Sequence, residues 1–259
     1  ADSTLRHAGW TLRRAATEME EAIATRPLAV YWQQLGDISL AMGDNEEAQK
    51  AYLAVSQTAS VTADDCYHAA VACERLPDGY AAAVVLMDSA VVKASPARAN
   101  VTPDSGLAYE SAPYVLERAL MKARHESYRP AVADFNLYER LAGTSINDRF
   151  YYLREQAEAS ARMFQQALDD IDLAISINPL AAYYLEKASL NVRVSRIDEA
   201  LPILEALVSS YPNDVDCNRL LGYCYAVKGD KRKARPLLEH AVELGDTAAP
   251  SIIERYCQP

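Results

Sequence analysis

The sequence predicts an all-α protein, and three observations support this prediction. Glycine is scarce, at 9 of 259 residues, whereas a β-sandwich or β-barrel needs frequent turn glycines and β-branched runs. Alanine, the residue that most favours helices, is abundant. One alanine also recurs at spacings of 33 to 36 residues, with a single larger spacing of 49. These recurring alanines are Ala15, Ala48, Ala82, Ala131, Ala167, Ala200 and Ala234.

Two segments carry a fuller repeat pattern. The first has Trp32, Leu35, Gly36, Ala48 and Tyr52, and the second has Leu221, Gly222, Tyr225, Gly229, Ala234, Leu238 and Ala241. This pattern resembles the tetratricopeptide repeat (TPR), a helix–turn–helix unit of 34 residues with a small residue at position 8 and alanine at position 20. The resemblance implies an α–α superhelix, a right-handed solenoid of antiparallel helix pairs whose stacked neighbours bury one continuous core.

The repeat register predicts an order of elements along the chain. They are a half repeat at 1–28 (the second helix of a truncated unit), two TPR units at 29–96, an inserted loop at 97–111, four TPR units at 112–248 and a C-terminal capping helix at 249–259. Within the units, Gly43, Pro77–Gly79 and Gly229 are predicted to form the turns, because glycine ends helices at little cost.

Two features depart from a regular array. Pro103 and Gly106 forbid a continuous helix through the inserted loop, which is either a surface loop or a segment that folds over a groove or divides the array. The unit at 148–180 has Arg154 and Glu155 at positions 7 and 8, where the family has leucine and a small residue.

Charge and hydropathy exclude several classes of protein. The net charge is −10 and the sequence pI is near 5.0, whereas nucleic-acid-binding proteins usually carry a basic stripe and a high pI. No apolar run approaches the ~18 residues that a membrane-spanning helix needs. We therefore expect neither nucleic-acid binding nor a membrane span.

The sequence contains no recognisable catalytic or metal-binding motif. Gly-x-Ser-x-Gly, phosphate-loop and His-Glu-x-x-His patterns are absent. The five cysteines form no Cys-x-x-Cys pair, and Cys66 and Cys73, like Cys217 and Cys224, would lie roughly 10 Å apart on a helix, too far for a disulfide. We expect buried free cysteines, no metal, no cofactor and no enzymatic activity.

The sequence leaves two cellular compartments as alternatives. The chain begins Ala-Asp-Ser-Thr without an initiator Met or a signal peptide, which fits a processed exported protein or a cut fragment. Free cysteines favour a reducing compartment instead. Similarity to exported repeat proteins of Gram-negative bacteria slightly favours a periplasmic or exported location over a cytoplasmic one.

In the family that the sequence resembles, the first helix of each pair lines a concave groove. At the matching positions, arginine recurs in five consecutive units with tyrosine beside it, and both are favoured at binding hot spots. Arginine also matches carboxylates bidentately. The alternative is that these arginines pair with glutamates of neighbouring helices. The candidate partner-binding residues are Tyr67, Arg75, Arg124, Arg149, Tyr152, Gln156, Arg193, Arg219 and Tyr223.

The resemblance implies a non-catalytic scaffold that binds a peptide or protein partner in this groove. Family members that hold acidic chaperone tails use lysine at position 5 and asparagine at position 9, and no unit here has either residue there, so we reject that role. The alternative function is a structural or self-associating segment of a larger TPR protein or assembly, including a homo-oligomer.

Overall fold

The computed structural model describes residues 2–95, 109–143 and 146–258. Within these ranges the chain forms fourteen α-helices and one 3-10 turn, Tyr109–Ser111, without any β-strand. The predicted all-α fold is therefore confirmed. In the described part of the chain, no helix combines the length and the apolar character needed to cross a membrane.

Most of the helices form consecutive antiparallel pairs. The helices are α1 (Asp2–Thr25), α2 (Ala29–Ala41), α3 (Asn45–Val55), α4 (Ala63–Glu74), α5 (Tyr80–Ala94), α6 (Ala112–Arg124), α7 (Tyr128–Ala142), α8 (Asp148–Ser160), α9 (Phe164–Ile177), α10 (Ala181–Arg193), α11 (Ile197–Ser210), α12 (Val215–Val227), α13 (Lys231–Glu243) and α14 (Ala249–Tyr256). From α2 to α13, each first helix packs against the second helix that follows it. Neighbouring pairs also pack, as α3 does on α4 and α11 on α12, which is the arrangement of an α-solenoid.

The chain divides into two compact units, Ala1–Ser145 and Ile146–Pro259. The first unit contains α1 to α7, and the second contains α8 to α14. The division falls after α7 and not within the inserted loop predicted at 97–111. Of that loop, residues 97–108 lie outside the described part of the chain, and the remainder is the 3-10 turn before α6.

The core of the first unit follows the recurring alanines. Ala48 and Ala131 are fully buried, and the large side chains four residues later, Tyr52 and Phe135, are fully buried beside them. Each large side chain removed from water in this way contributes roughly 1.5–3 kcal/mol. In α1 the buried alanine is Ala16, one residue after the Ala15 that the spacing predicts.

The core of the second unit is built in the same way. Ala167, Ala200 and Ala234 are fully buried, and Ile171 and Leu238 fill the adjacent space. The cysteines of both units belong to these cores, and all five are free and buried, as predicted from their spacing. The capping helix predicted at 249–259 is helical over α14, which packs on α12 and α13.

The turn inside every pair contains one residue with a left-handed backbone conformation. In two pairs it is the predicted glycine, Gly43 with φ +80° and Gly229 with φ +82°. In the others it is not glycine, and φ lies between 57° and 62° at Asp78, Glu126, Arg162 and Ser195. Gly79 has φ −76° and serves a different purpose, because a Cβ there would lie 1.9 Å from the carbonyl oxygen of Cys73.

Candidate functional site

Tyrosines and charged side chains cluster at three places. At two of them consecutive first helices face each other, and at the third α12 faces α14. We call these three lines of side-chain contact seam A (α4 with α6), seam B (α8 with α10) and seam C (α12 with α14). Seam A lies in the first unit, and seams B and C lie in the second. Eight of the nine predicted partner-binding residues lie on a helix that forms a seam, and the ninth, Arg75, is the C-cap of α4.

Seam A begins with a pair of tyrosines. A reciprocal capping box between Thr62 and Asp65 fixes the start of α4, which places Asp64 and Tyr67 in its first two turns. The rings of Tyr67 and Tyr114 meet edge to face, with centroids 6.1 Å apart. The Tyr114 hydroxyl donates a hydrogen bond to Oδ1 of Asp64 at 2.6 Å, which ties α6 to the start of α4.

The opposite end of seam A is closed by an ion pair. Arg124 donates from Nε and Nη2 to the two carboxylate oxygens of Glu74, at 3.0 and 2.8 Å. Burial opposes ionisation of Glu74, but the hydrogen bonds and charge of Arg124 outweigh it, so the pKa of Glu74 lies below its ordinary value. His125 adds a contact of 3.2 Å to the same carboxylate and stacks on Tyr80.

Seam B repeats the tyrosine pair in the second unit. The ring centroids of Tyr152 and Tyr183 lie 5.0 Å apart. Asp148, in the first turn of α8, accepts a hydrogen bond from the Tyr183 hydroxyl at 2.9 Å and another from Asn178 at 3.0 Å. Gln156 is exposed one turn after Tyr152 and hydrogen-bonds to its phenol. Tyr152 is half-buried, whereas Tyr183 is only 6% exposed.

A charged cluster lies beneath seam B. Glu155 is 0% exposed, and neither of its carboxylate oxygens has a hydrogen-bond partner. Burial, followed by the charges of Glu186 and Glu158, raises the pKa of Glu155 to about 8, and the charge of Arg193 opposes the rise. The five other first helices from α2 to α12 have a small residue at this repeat position, namely Gly36, Ala70, Ala119, Ala188 and Gly222.

The residue before Glu155 is a buried arginine. Arg154 donates two hydrogen bonds to Asp170 of α9, from Nε at 2.5 Å and from Nη2 at 2.7 Å. Both side chains are almost completely buried, at 8% and 5% exposed. This bidentate geometry offsets the desolvation of the two charges.

Seam C pairs an arginine and a tyrosine with the end of the chain. Arg219 lies 3.0 Å through Nε from Asp246 and also contacts Asp216. The rings of Tyr223 and Tyr256 meet edge to face at 6.0 Å. The cation and the aromatic ring of α12 therefore both contact side chains near or within α14.

The predicted site residues fall into two groups. Three arginines are engaged within the chain: Arg124 with Glu74, Arg219 with Asp246, and Arg193 with the carbonyl oxygen of Ala159. Arg193 also lies 4.9 Å above the ring of Phe164. Arg75, Arg149 and Gln156 are exposed, and the three tyrosines are half-buried. Their role in partner binding stays a prediction.

Sequence reasoning missed the residues that face the predicted ones. Tyr114 and Tyr183 complete the tyrosine pairs. The pairing of Arg124 with Glu74 was not missed, because it is the alternative that the sequence left open. Glu117 also acts on seam A, because its charge contributes to the raised pKa of Tyr67 after burial. The available signal was that Tyr114 and Glu117 occupy the same face of α6, three residues apart.

The helices of the seams also carry carboxylates and cysteines. In the described ranges, no group of three or more His, Cys, Asp or Glu side chains could hold a metal ion. Burial raises the pKa of Cys73 and of Cys224 to about 11, so these thiols stay protonated near neutral pH and are poor nucleophiles. The seams instead present aromatic rings, carboxylates and guanidinium groups.

Comparisons with known proteins agree with this architecture. A family model described as the tetratricopeptide repeat matches residues 29–57, which hold α2 and α3. No curated protein matches the chain by sequence.

Solved structures with the same fold match over nearly the whole chain. The C-terminal part of a TPR repeat-containing protein from Cytophaga hutchinsonii aligns with a TM-score of 0.62 at 13% identity, covering 96% of this chain and 98% of that one. YrrB, described as a TPR protein with an unusual peptide-binding site, aligns with a TM-score of 0.50 at 16% identity, covering 93% and 99%. The predicted resemblance to the tetratricopeptide repeat is therefore confirmed, and the chain has the all-α solenoid fold of these repeat proteins.

Proposed function

We propose that this chain is a non-catalytic scaffold that binds a peptide or protein partner on the faces formed by its first helices. The observation that carries the proposal is the recurrence of a tyrosine pair at all three seams: Tyr67 with Tyr114, Tyr152 with Tyr183, and Tyr223 with Tyr256. Tyrosine supplies a large contact area at a low cost in conformational entropy and is enriched at binding hot spots.

The charged residues around these pairs support the same function. Exposed Gln156 hydrogen-bonds to Tyr152, the charge of exposed Arg149 acts on Tyr183, and exposed Arg75 ends α4, the helix that holds Tyr67. A face of rigid aromatic rings bordered by polar groups resembles the centre and rim of a protein interface. YrrB, which shares the fold, is described as having a peptide-binding site, and we extend only the general idea of peptide binding to this chain.

Site-directed crosslinking tests where the partner binds. A photo-crosslinking amino acid replaces Gln156 on the first helix α8, and the matched control replaces Gln166, which is exposed on the second helix α9. After incubation with extract of the source cells, we expect a discrete crosslinked protein from position 156 and none from position 166. Equal products from both positions, or none, would contradict binding at the first-helix face.

Charge reversal gives an independent test in the first unit. Arg75→Glu changes the end of α4, and Arg129→Glu makes the same change of charge at an exposed position of the second helix α7. We expect Arg75→Glu alone to change the yield of captured partner, with circular dichroism of both variants unchanged. Loss of partner in both variants would indicate a nonspecific effect of charge.

Self-association is a second candidate function, and one observation favours it. Trp10 on α1 is 60% exposed, with the Arg14 guanidinium 6.0 Å from its ring. A tryptophan of that exposure is a common anchor for a second protein surface. Light scattering at rising concentration tests it: we expect association that Trp10→Ser removes, and a monomer at all concentrations would exclude it.

A further inference from the structure

A small pocket lies on seam A, between the first halves of α4 and α6. Tyr67 and Tyr114 form two of its walls, and their ring planes are inclined at 65° to each other. Asp64 and Glu117 place carboxylates at its edge. Pro113 and Leu116 complete an apolar lining. Two aromatic faces with carboxylates beside them form an environment that favours a cation.

The charges next to the pocket also favour a cation. The nearest arginine of the seam, Arg124, is held in a bidentate ion pair by Glu74. Asp64 accepts one hydrogen bond from Tyr114, and a carboxylate has about four acceptor positions, so it can accept further bonds. The residues that line the pocket include two carboxylates and no cation, so an anionic ligand there would meet Asp64 and Glu117 without a compensating charge, whereas a cationic ligand meets two carboxylates.

The tyrosines remain neutral when a cation binds. Burial, then the hydrogen bond and charge of Asp64, raise the pKa of Tyr114 to about 12. Burial and then the charge of Glu117 raise the pKa of Tyr67 as well. Both rings therefore keep their phenol protons at neutral pH, and the pocket that they line contains neutral aromatic rings rather than phenolates.

We propose that the pocket of Tyr67, Tyr114, Asp64 and Glu117 binds the basic side chain, lysine or arginine, of a peptide that lies along seam A. This inference rests on the proposed scaffold function and names the chemistry that the first unit recognises. It reverses the ligand charge expected from the recurring arginines, because in this seam the arginine is neutralised and the carboxylates face the pocket.

Synthetic peptides test the proposal directly. The probes are acetylated and amidated heptapeptides, Gly-Ser-Ala-X-Ala-Ser-Gly, in which X is lysine, arginine, norleucine or glutamate. Binding to the full chain is followed by NMR of the tyrosine ring signals. We expect saturating shifts of Tyr67 and Tyr114 with lysine and arginine, and about fivefold to thirtyfold weaker binding with norleucine. Affinity for the lysine peptide should also fall as salt is added.

Two variants and a control separate the pocket from the general charge of the protein. Glu117→Gln removes one carboxylate at constant shape, and Tyr67→Leu removes one aromatic face. Each is expected to weaken the lysine peptide about threefold to tenfold. Glu46→Gln makes the same charge change on the second helix α3, where Glu46 is exposed, and should leave binding unchanged.

The outcomes distinguish this inference from the scaffold proposal. Equal affinity for lysine and norleucine peptides, or equal loss with Glu46→Gln and Glu117→Gln, would overturn the cation pocket even if crosslinking at position 156 captures a partner. Selective lysine binding without any captured partner would retain the pocket and refute the scaffold. Self-association that Glu117→Gln abolishes would overturn the inference, because it would assign the pocket to a second copy of the chain.

Discussion

Replacing Glu155 with glutamine is expected to stabilise the second unit at alkaline pH and to leave its stability at acid pH nearly unchanged. Glu155 is fully buried on α8, and its carboxylate oxygens have no hydrogen-bond partner. The side-chain amide of glutamine has nearly the same shape as the carboxyl group but cannot ionise. The substitution therefore isolates the free-energy cost of a buried negative charge.

The raised pKa determines the sign and size of this effect. Burial raises the pKa of Glu155 from 4.5 to about 8, so between these values the folded protein keeps a proton that the unfolded chain releases. The contribution of Glu155 to the free energy of unfolding is therefore highest below pH 4.5 and falls as the pH rises through about 8. Each unit of pKa difference corresponds to about 1.4 kcal/mol, so the loss of stability approaches roughly 5 kcal/mol. Water entering the site reduces the cost of the buried charge, and we therefore expect a loss of about 2–5 kcal/mol.

Urea denaturation of the full chain, followed by circular dichroism from about pH 5 to about pH 9, measures this loss. Wild type and Glu155→Gln should agree at the acid end, and the variant should be more stable at the alkaline end. Burial also raises the pKa of Glu186, which remains in the variant. The free energy of unfolding of the variant should therefore still fall as the pH rises, but less steeply than that of wild type. Glu199→Gln, at an exposed position of α11, is the control for net charge.

Parallel curves for wild type and Glu155→Gln would refute the reasoning. They would mean that Glu155 ionises in the folded protein as readily as in the unfolded chain. Hydrogen exchange of the α8 amides at both ends of the pH range gives a second measurement, because local opening of the second unit would accelerate exchange there even if the first unit stays folded.

Three further substitutions test the packing. Gly222→Ala places a Cβ 2.7 Å from Cγ of Leu238. Urea denaturation should show that the free energy of unfolding falls by about 1–3 kcal/mol, whereas an unchanged midpoint would mean that α13 shifts at no cost. Arg162→Gly relieves a left-handed backbone conformation with φ 62° and should increase the stability by about 1 kcal/mol. The melting temperature should rise, and a lower one would mean that Arg162 is not strained. Asp134→Ala removes the two bonds that Arg118 makes to Asp134 at 2.6 and 2.8 Å and leaves that arginine only its ion pair with Asp88. It should cost about 1.5–3 kcal/mol, and a loss no larger than that of an exposed aspartate would contradict it.

The fold could be predicted from the sequence because it depends on local patterns. A small residue must recur where two helices touch, and Ala48 and Ala167 are fully buried at that place in their pairs. Turns were predicted less well, because Arg162 and Ser195 adopt the left-handed conformation that glycine marks in other pairs. Glu155 was visible as a departure from the repeat, but its burial depends on three helices packing around it, which no spacing within α8 reports.

The sequence left open whether the arginines of the first helices are available or paired with neighbouring glutamates, because the answer depends on contacts between helices. Arg124 and Glu74 are 50 residues apart in the chain and form a bidentate pair only because α4 and α6 are neighbours. That pair neutralises Arg124, which the sequence alone presented as an unpaired cation. The pocket beside this pair is lined instead by Tyr67 and Tyr114 with Asp64 and Glu117, and of these four only Tyr67 was named from the sequence.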